Sequence, residues 1–399
     1  MSSAPQQAPG PLDPGASTGA APGRPRLADL TTLRIGGSIR TLVRARTQEE
    51  LIAAVASADE RGEQLLVLGG GSNLVASDAP FEGTVVLAED PQAPPVLNAT
   101  CEIPASGEPD GIPADPAELT PLEATCGGAL VEHFAGTGWD DAVAYAVARG
   151  MIGIEALSGI PGTVGATPIQ NVGAYGQEVS QTIARVRTYD RDDRRVRTFY
   201  AADCAFAYRD SLFKRTPYGG PVPSATGRYV VLSVTFQHMI GSLSAPIRYG
   251  ELARRLGVEA GARAPMTQVR EAVLAIRAGK GMVLDPADHD TWSAGSFFTN
   301  PILPEEQART LPEGAPRFPA GEGHVKTSAA WLISQAGFDR GFCVGPRASL
   351  STKHSLALTN RGGAGSEDIA ELARAVRAGV QERFGIRLEP EPVRLGIDI

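Results

Sequence analysis

Apolar positions along this chain repeat with two different periods, and the changes between them mark its elements. TLVRA (41–45) reads as a strand. Thr47, with Glu50 three residues later, is a capping box that opens a helix over roughly 48–61, which Gly62 ends. LLVLG (65–69) reads as a buried strand that breaks into Gly69, Gly70, Gly71, Ser72 and Asn73, so the chain opens as β–α–β with a glycine turn that either offers free N–H groups to phosphate oxygens or only changes the chain's direction. Helical spacing covers Ala129–Arg149 with an interruption at Gly136–Trp139. RVRTYD and RRVRTFY alternate as a polar-faced hairpin around Asp190–Arg194, and YVVLSVTF (229–236) is a strongly apolar strand. A helix over about 267–278 takes Thr267 as its cap. The run KTSAAWLISQAGF is a short helix stopped at Gly337. Ser366 caps a last long helix whose positions Ile369, Leu372, Ala373, Val376 and Val380 keep helical spacing up to Gly385.

One stretch fits neither period. Between Glu155 and Val179, five glycines (159, 162, 165, 173, 176) and two prolines (161, 168) forbid a continuous helix, and no alternation lasts long enough for a strand. Charge is absent between the two end glutamates. A shaped loop of this composition grips a ligand with backbone N–H groups and the amides of Gln170 and Asn171, which suits a flat, polyphosphorylated cofactor; a surface turn cluster is the alternative. GGGSN (69–73) lacks the ending of a P-loop. SAGSFFTNP (293–301) is also loop-like, with small residues around two phenylalanines.

Composition narrows the class. The chain has 399 residues, enough for two or three domains, and carries 45 acidic against 37 basic side chains for a net charge of −8. That balance argues against a nucleic-acid partner. Its four cysteines are far apart without a Cys-x-x-Cys pair, so no zinc cage or disulfide framework is indicated and a reducing cytoplasm fits. Neither a secretory leader nor a membrane-inserting run is expected, and the five histidines form no metal-binding pair. Residues 1–26, with six prolines, four glycines and five alanines, read as a disordered tail; residues 91–121, with eight prolines, five acids and no Lys or Arg, read as a solvated insertion between two strands.

Five motifs in one order, GGGSN, IPGTVGATPIQNVGAYG (160–176), YRDSLFK (208–214), GSFFTNP (295–301) and LEPE (388–391), resemble those of the UDP-N-acetylenolpyruvoylglucosamine reductases, the MurB flavoenzymes, and in particular their type I branch. The match runs from about Leu33 to Gly396. It implies an α+β chain: a two-part FAD-binding fold of the vanillyl-alcohol-oxidase type followed by an α+β substrate-binding domain. The divisions expected are 27–96 and 97–281 for the two FAD-binding parts, 282–391 for the substrate domain and 392–399 for a returning segment. The implied activity is that of a UDP-N-acetylmuramate dehydrogenase of cell-wall synthesis: NADPH passes hydride to FAD, and reduced flavin passes it to the enolpyruvyl ether of UDP-N-acetylglucosamine. A monomer is expected. A flavin oxidase of the same fold and a non-catalytic nucleotide-binding regulator are the rival readings.

The resemblance also assigns residues. FAD would lie against Gly69–Asn73 and the 160–176 loop, through Ile160, Pro161, Gly162, Gly165, Gln170, Asn171, Gly173, Ala174, Tyr175 and Gly176. Hydride addition builds negative charge on the substrate carboxylate, and Arg209 matches the family's arginine for it; read alone, Arg209 pairs with its neighbour Asp210. Ser296 matches the proton donor and Glu391 the catalytic glutamate, whose plainer role is a domain-closing salt bridge. Tyr208, Tyr249, Lys280, Asn300 and His354 match substrate contacts. The insertion, the long 281–292 segment beside Ser296 and Pro392 depart from the shortest family members.

Overall fold

The computed structural model describes residues 23–99, 128–222 and 224–399. In its first part, strand β1 (Ile39–Ala45) leads into helix α1 (Gln48–Glu60), then β2 (Leu65–Leu68), β3 (Leu74–Ala76) and β4 (Phe81–Ala88). β4 runs parallel between β1 and β2, and its consecutive Thr84, Val85 and Val86 are all buried, as in a strand covered on both faces. The Thr47 hydroxyl accepts from Glu50 N as expected, while the Glu50 carboxylate reaches Arg46 N rather than Thr47 N.

In the second part, β5 (Val96–Ala99), β6 (Gly128–Phe134), helix α2 (Trp139–Ala148), β7 (Ile183–Asp190), β8 (Arg195–Tyr200) and β9 (Tyr229–Ile240) build an antiparallel sheet in the order β8-β7-β9-β6-β5. Two expectations are corrected here. Residues 129–134 are strand, not helix: GALVEHF buries every second residue and pairs along β9. Residues 96–99, expected inside a solvated insertion, pair with β6; the rest of that segment through residue 121 lies outside the described residues. The hairpin of β7 and β8 and the apolar β9 are as expected, β9 running four residues further. Two helices close this part, α3 (Gly250–Leu256) and α4 (Met266–Gly279). The N-cap of α4 is Pro265, so Thr267 lies within the helix.

The third part holds helices α5 (Ala329–Gln335) and α6 (Ser366–Phe384) against two small antiparallel sheets. α5 is capped by Ser328 and stops before Gly337, as expected. For α6 the N-cap is Gly365; the Ser366 hydroxyl instead accepts from Asp78 N in the first part. Leu33 and Ile35 also join the core of this third part. The final strand, β10 (Val393–Leu395), pairs parallel with β3, which ties the chain's end beside the glycine turn at Asn73. Residues 23–26, expected within the disordered tail, are described, and Pro25 O accepts from Ile39 N; residues 1–22 lie outside the described residues. No helix among the described residues is long and apolar enough to cross a membrane.

Candidate active site

The two glycine-rich segments meet. Ser72 Oγ donates to Pro161 O at 2.9 Å, and the second segment is pinned to the sheet edge by Val164 N to Thr137 O and Gly165 N to Ala135 O, both 2.9 Å. A side chain at Gly70 would put its Cβ 2.7 Å from Gly162 Cα, and Gly71 has φ +59° with a Cβ direction running into Leu30 O. The glycines therefore serve chain-on-chain approach as well as any ligand. Gly70→Ala is expected to force the segments apart; overpacking of this kind costs ~1–3 kcal/mol, so flavin should bind on the order of tenfold more weakly. Equilibrium titration of apo-protein with FAD measures this, and wild-type affinity would deny the two segments a joint role.

The junction opens into a cavity of about 880 Å³, within the ~300–1,000 Å³ span of ligand sites. Its wall includes Gly69–Asn73, Ile160, Pro161, Gly162, Gly165, Gln170, Gly173, Ala174 and Tyr175, with Leu66, Val67, Phe213, Val230 and Val231 as apolar faces. Among the described residues five cations line it, Arg209, Lys214, Arg215, Arg277 and Lys280, against the carboxylate of Glu391, with Arg215 and Lys280 also paired to Asp210 and Glu251 off the wall. In a chain of net charge −8, that local excess suits a ligand carrying phosphates. Apolar walls, backbone N–H turns and a basic lining together fit FAD.

Three residues from distant stretches converge at this wall. Arg209 sits in the left-handed region at φ 54°, a conformation held for a non-glycine residue only by its surroundings. Its Nη2 donates to Gly173 O at 2.8 Å, and its Nε lies 3.0 Å from Glu391 Oε1. Poorly aligned for a hydrogen bond, the two groups still form a close ion pair, so the salt bridge that is the plainer role for Glu391 is present. The reading of Arg209 with Asp210 does not hold: Asp210 pairs with Arg215. Glu391 N donates to Phe297 O and Thr299 N to Glu389 O, so the LEPE segment is laced to the GSFF loop, which brings Glu391 to the same wall as Ser296. The buried rings of Phe297 and Phe298 anchor that loop. Burial pushes the Glu391 carboxyl up, against the opposing pull of Arg209 and Lys214. The Ser296 hydroxyl has no hydrogen-bond partner among the described residues.

Of the expected substrate contacts, Tyr249, Lys280 and His354 line the cavity. Tyr249 packs edge-on against Tyr175 at 5.3 Å, and Lys280 Nζ lies 2.6 Å from Glu251. Burial, with the Lys280 and Arg340 cations, pulls the His354 imidazole down to about 4, so it is neutral at pH 7. Tyr208 and Asn300 lie off the wall and touch each other, Asn300 N donating to Tyr208 Oη at 3.4 Å, while Asn300 Oδ1 accepts from Ala329 N in the first turn of α5. Asn171 and Gly176 are not brought to the cavity either. Asn171 is 1 % exposed, its Nδ2 donating to Glu178 and Ala207 O and its Oδ1 accepting from Ser180 N, so it braces the loop from behind. Gly176 backs onto Arg248.

Sequence reasoning missed Arg277. It donates to Gly159 O at 3.1 Å and Met282 O at 2.8 Å, joining the glycine loop to the turn beyond Lys280, and burial lowers its pKa. A signal was there: α4 buries Met266, Val269, Ala272 and Val273, and Arg277 continues that stripe where an apolar residue belongs.

The fold and the cavity define a two-part FAD-binding protein with an added C-terminal domain. Residues 105–198 match the model of the FAD binding domain, and residues 285–395 that of the UDP-N-acetylenolpyruvoylglucosamine reductase C-terminal domain. The chain is 54 % identical over 375 residues to the UDP-N-acetylenolpyruvoylglucosamine reductase of Cutibacterium acnes, covering 94 % of this chain and 90 % of that one. It is 51 % identical over 382 residues to the Streptomyces coelicolor protein of the same name, covering 93 % and 89 %. The chain belongs to the UDP-N-acetylenolpyruvoylglucosamine reductase family. The crystal structure of the Thermus caldophilus protein of that name shares the fold, with a TM-score of 0.54 at 23 % identity over 94 % of this chain and 98 % of that one.

Proposed function

We propose that this chain is the NADPH-dependent flavoenzyme that reduces UDP-N-acetylenolpyruvoylglucosamine to UDP-N-acetylmuramate in peptidoglycan synthesis. The observation that carries the reading is the meeting of Arg209, Ser296 and Glu391 on one wall of a basic, glycine-lined cavity. FAD would be held by Gly69–Asn73 and the 160–175 wall, and the chemistry it supplies when bound is relay of hydride from NADPH to the vinyl carbon of the enol ether.

The protein's own part is to stabilise charge and deliver a proton. As the vinyl carbon gains hydride, electron density moves onto the substrate carboxylate, and the planar fork of Arg209 accepts it with two parallel N–H groups. Ser296 gives its hydroxyl proton to the carbon beside the ether oxygen. A serine hydroxyl is a weak acid, so it serves only if oriented and reprotonated from nearby. Glu391, held protonated to higher pH than an exposed glutamate, stabilises the intermediate and, as the carboxyl on the same cavity lining, serves as the reservoir for that proton. Turnover limited by proton delivery is therefore greatest below the raised Glu391 pKa and falls as pH rises through it. Glu391→Gln, which cannot titrate, is expected to flatten that limb of the kcat profile; an unchanged limb would assign the titration to another group. Lys280, Tyr249 and His354 take the nucleotide end, Lys280 leaving Glu251 for a phosphate.

The reading includes a cytoplasmic monomer. Support for the cytoplasm is that substrate and reductant are both nucleotides. The direct test is NADPH oxidation by purified protein with and without the enolpyruvyl UDP-sugar: dependence on the sugar is expected, and oxidation that proceeds without it marks an oxidase.

A further inference from the structure

β2 is an edge strand, yet its free edge is covered. Val67 N donates to Thr226 Oγ1 at 2.7 Å and Leu65 O accepts from Ser224 Oγ at 2.9 Å, so two side chains stand in for a partner strand. Leu66, Val67, Ser224, Thr226 and Gly227 are all cavity wall. This part of the flavin site is therefore made of two chain segments fastened side to side rather than of one continuous sheet.

The fastening is held from behind by one arginine. Arg191, at the turn between β7 and β8, has a fully buried side chain, and its Nη1 donates to Thr226 O at 2.6 Å, Gly227 O at 3.1 Å and Ser224 Oγ at 3.2 Å. Its other edge makes a two-pronged pair with Asp59 near the end of α1, Nη2 to Oδ1 at 2.6 Å and Nε to Oδ2 at 3.0 Å. Tyr218 covers the guanidinium plane at 3.5 Å. One side chain thus ties a helix of the first part, a hairpin of the second and the wall segment 224–227. Neither Arg191 nor Asp59 lines the cavity.

Resting on the flavin reading above, we propose that the Asp59–Arg191 pair is a latch that sets how tightly this protein holds FAD: both are positioning residues that act through the 224–227 wall, without a part in hydride or proton transfer. A buried charge pair in which all three guanidinium nitrogens donate locks one geometry, and loss of either member leaves the other charge unpaired, so the wall loosens where it must close on the cofactor. Removing the carboxylate should weaken FAD retention and leave the chemistry of a loaded site alone.

The test uses the full-length protein and FAD itself. Asp59→Asn and Arg191→Lys are expected to weaken FAD binding to apo-protein by on the order of tenfold or more and to speed its release on dilution, while kcat and KM at saturating FAD stay within about twofold of wild type. FAD should also raise the Tm of each variant less than it raises that of wild type. A purely structural pair would lower the Tm of apo- and holoprotein alike with FAD affinity intact, and that result overturns the latch, as does wild-type release from both variants. Should Asp59→Asn not fold, Arg191→Lys, which keeps the charge and loses only the fork, decides on the same readouts. Failure of the wild-type protein itself to bind FAD would strike at the functional reading instead.

Discussion

Ser296→Ala is expected to leave bleaching of the flavin by NADPH fast and to slow reoxidation of the reduced flavin by the enolpyruvyl substrate ~10²–10⁴-fold, the range for a lost general acid. Hydride transfer from NADPH needs no proton at the substrate carbon, whereas completion of the lactyl ether does. The Ser296 side chain braces nothing among the described residues, and the loop around it is held by Phe297, Phe298 and the backbone pairing to residues 389–391, so its loss should not move the wall. Anaerobic stopped-flow separates the two phases. Equal slowing of both would make Ser296 a shaper of the common binding site; slowing of neither would shift the proton to another acid, with Glu391 first.

Arg209→Lys is expected to retain FAD and turn over on the order of 10²–10³-fold more slowly, as for other lost charge-stabilising donors. A lysine keeps the positive charge beside Glu391, but it has one ammonium where the arginine has a fork. It would lose the bond to Gly173 O or the pairing with Glu391, since Nη2 serves the first and Nε the second, and with them the N–H fork offered to a substrate carboxylate. Near-normal kcat with bound flavin would reduce Arg209 to a structural tie between the glycine loop and Glu391.

What was legible in the sequence was mostly local. Helix α1 follows from Thr47 with Glu50 and stops before Gly62, and α6 ends where Gly385 takes the left-handed conformation, because caps act within a few residues. Segment 129–134 was misread because a short apolar run next to a true helix carries the helical template as well as the strand one, and only pairing along β9 decides between them. Ser366 and Thr267 look like caps by residue type, yet Gly365 and Pro265 take those positions, and Ser366 bonds to Asp78, 288 residues away. The site was legible through its motifs rather than its physics. Nothing in LEPE announces that Glu391 N will bind Phe297 O, and the Arg191–Asp59 pair spans 132 residues. Asn171 shows the limit of the motif itself, since an amide in the glycine loop bonds loop atoms instead of facing the cavity.

The measurement that bears most directly on the central claim is a single turnover without oxygen. Protein reduced by one equivalent of NADPH is mixed with UDP-N-acetylenolpyruvoylglucosamine, and the flavin's visible band is followed while the product is collected. Full return of the band with one UDP-N-acetylmuramate formed per flavin is the result predicted. A band that stays bleached until air is admitted, with the enolpyruvyl sugar recovered unchanged, would contradict it.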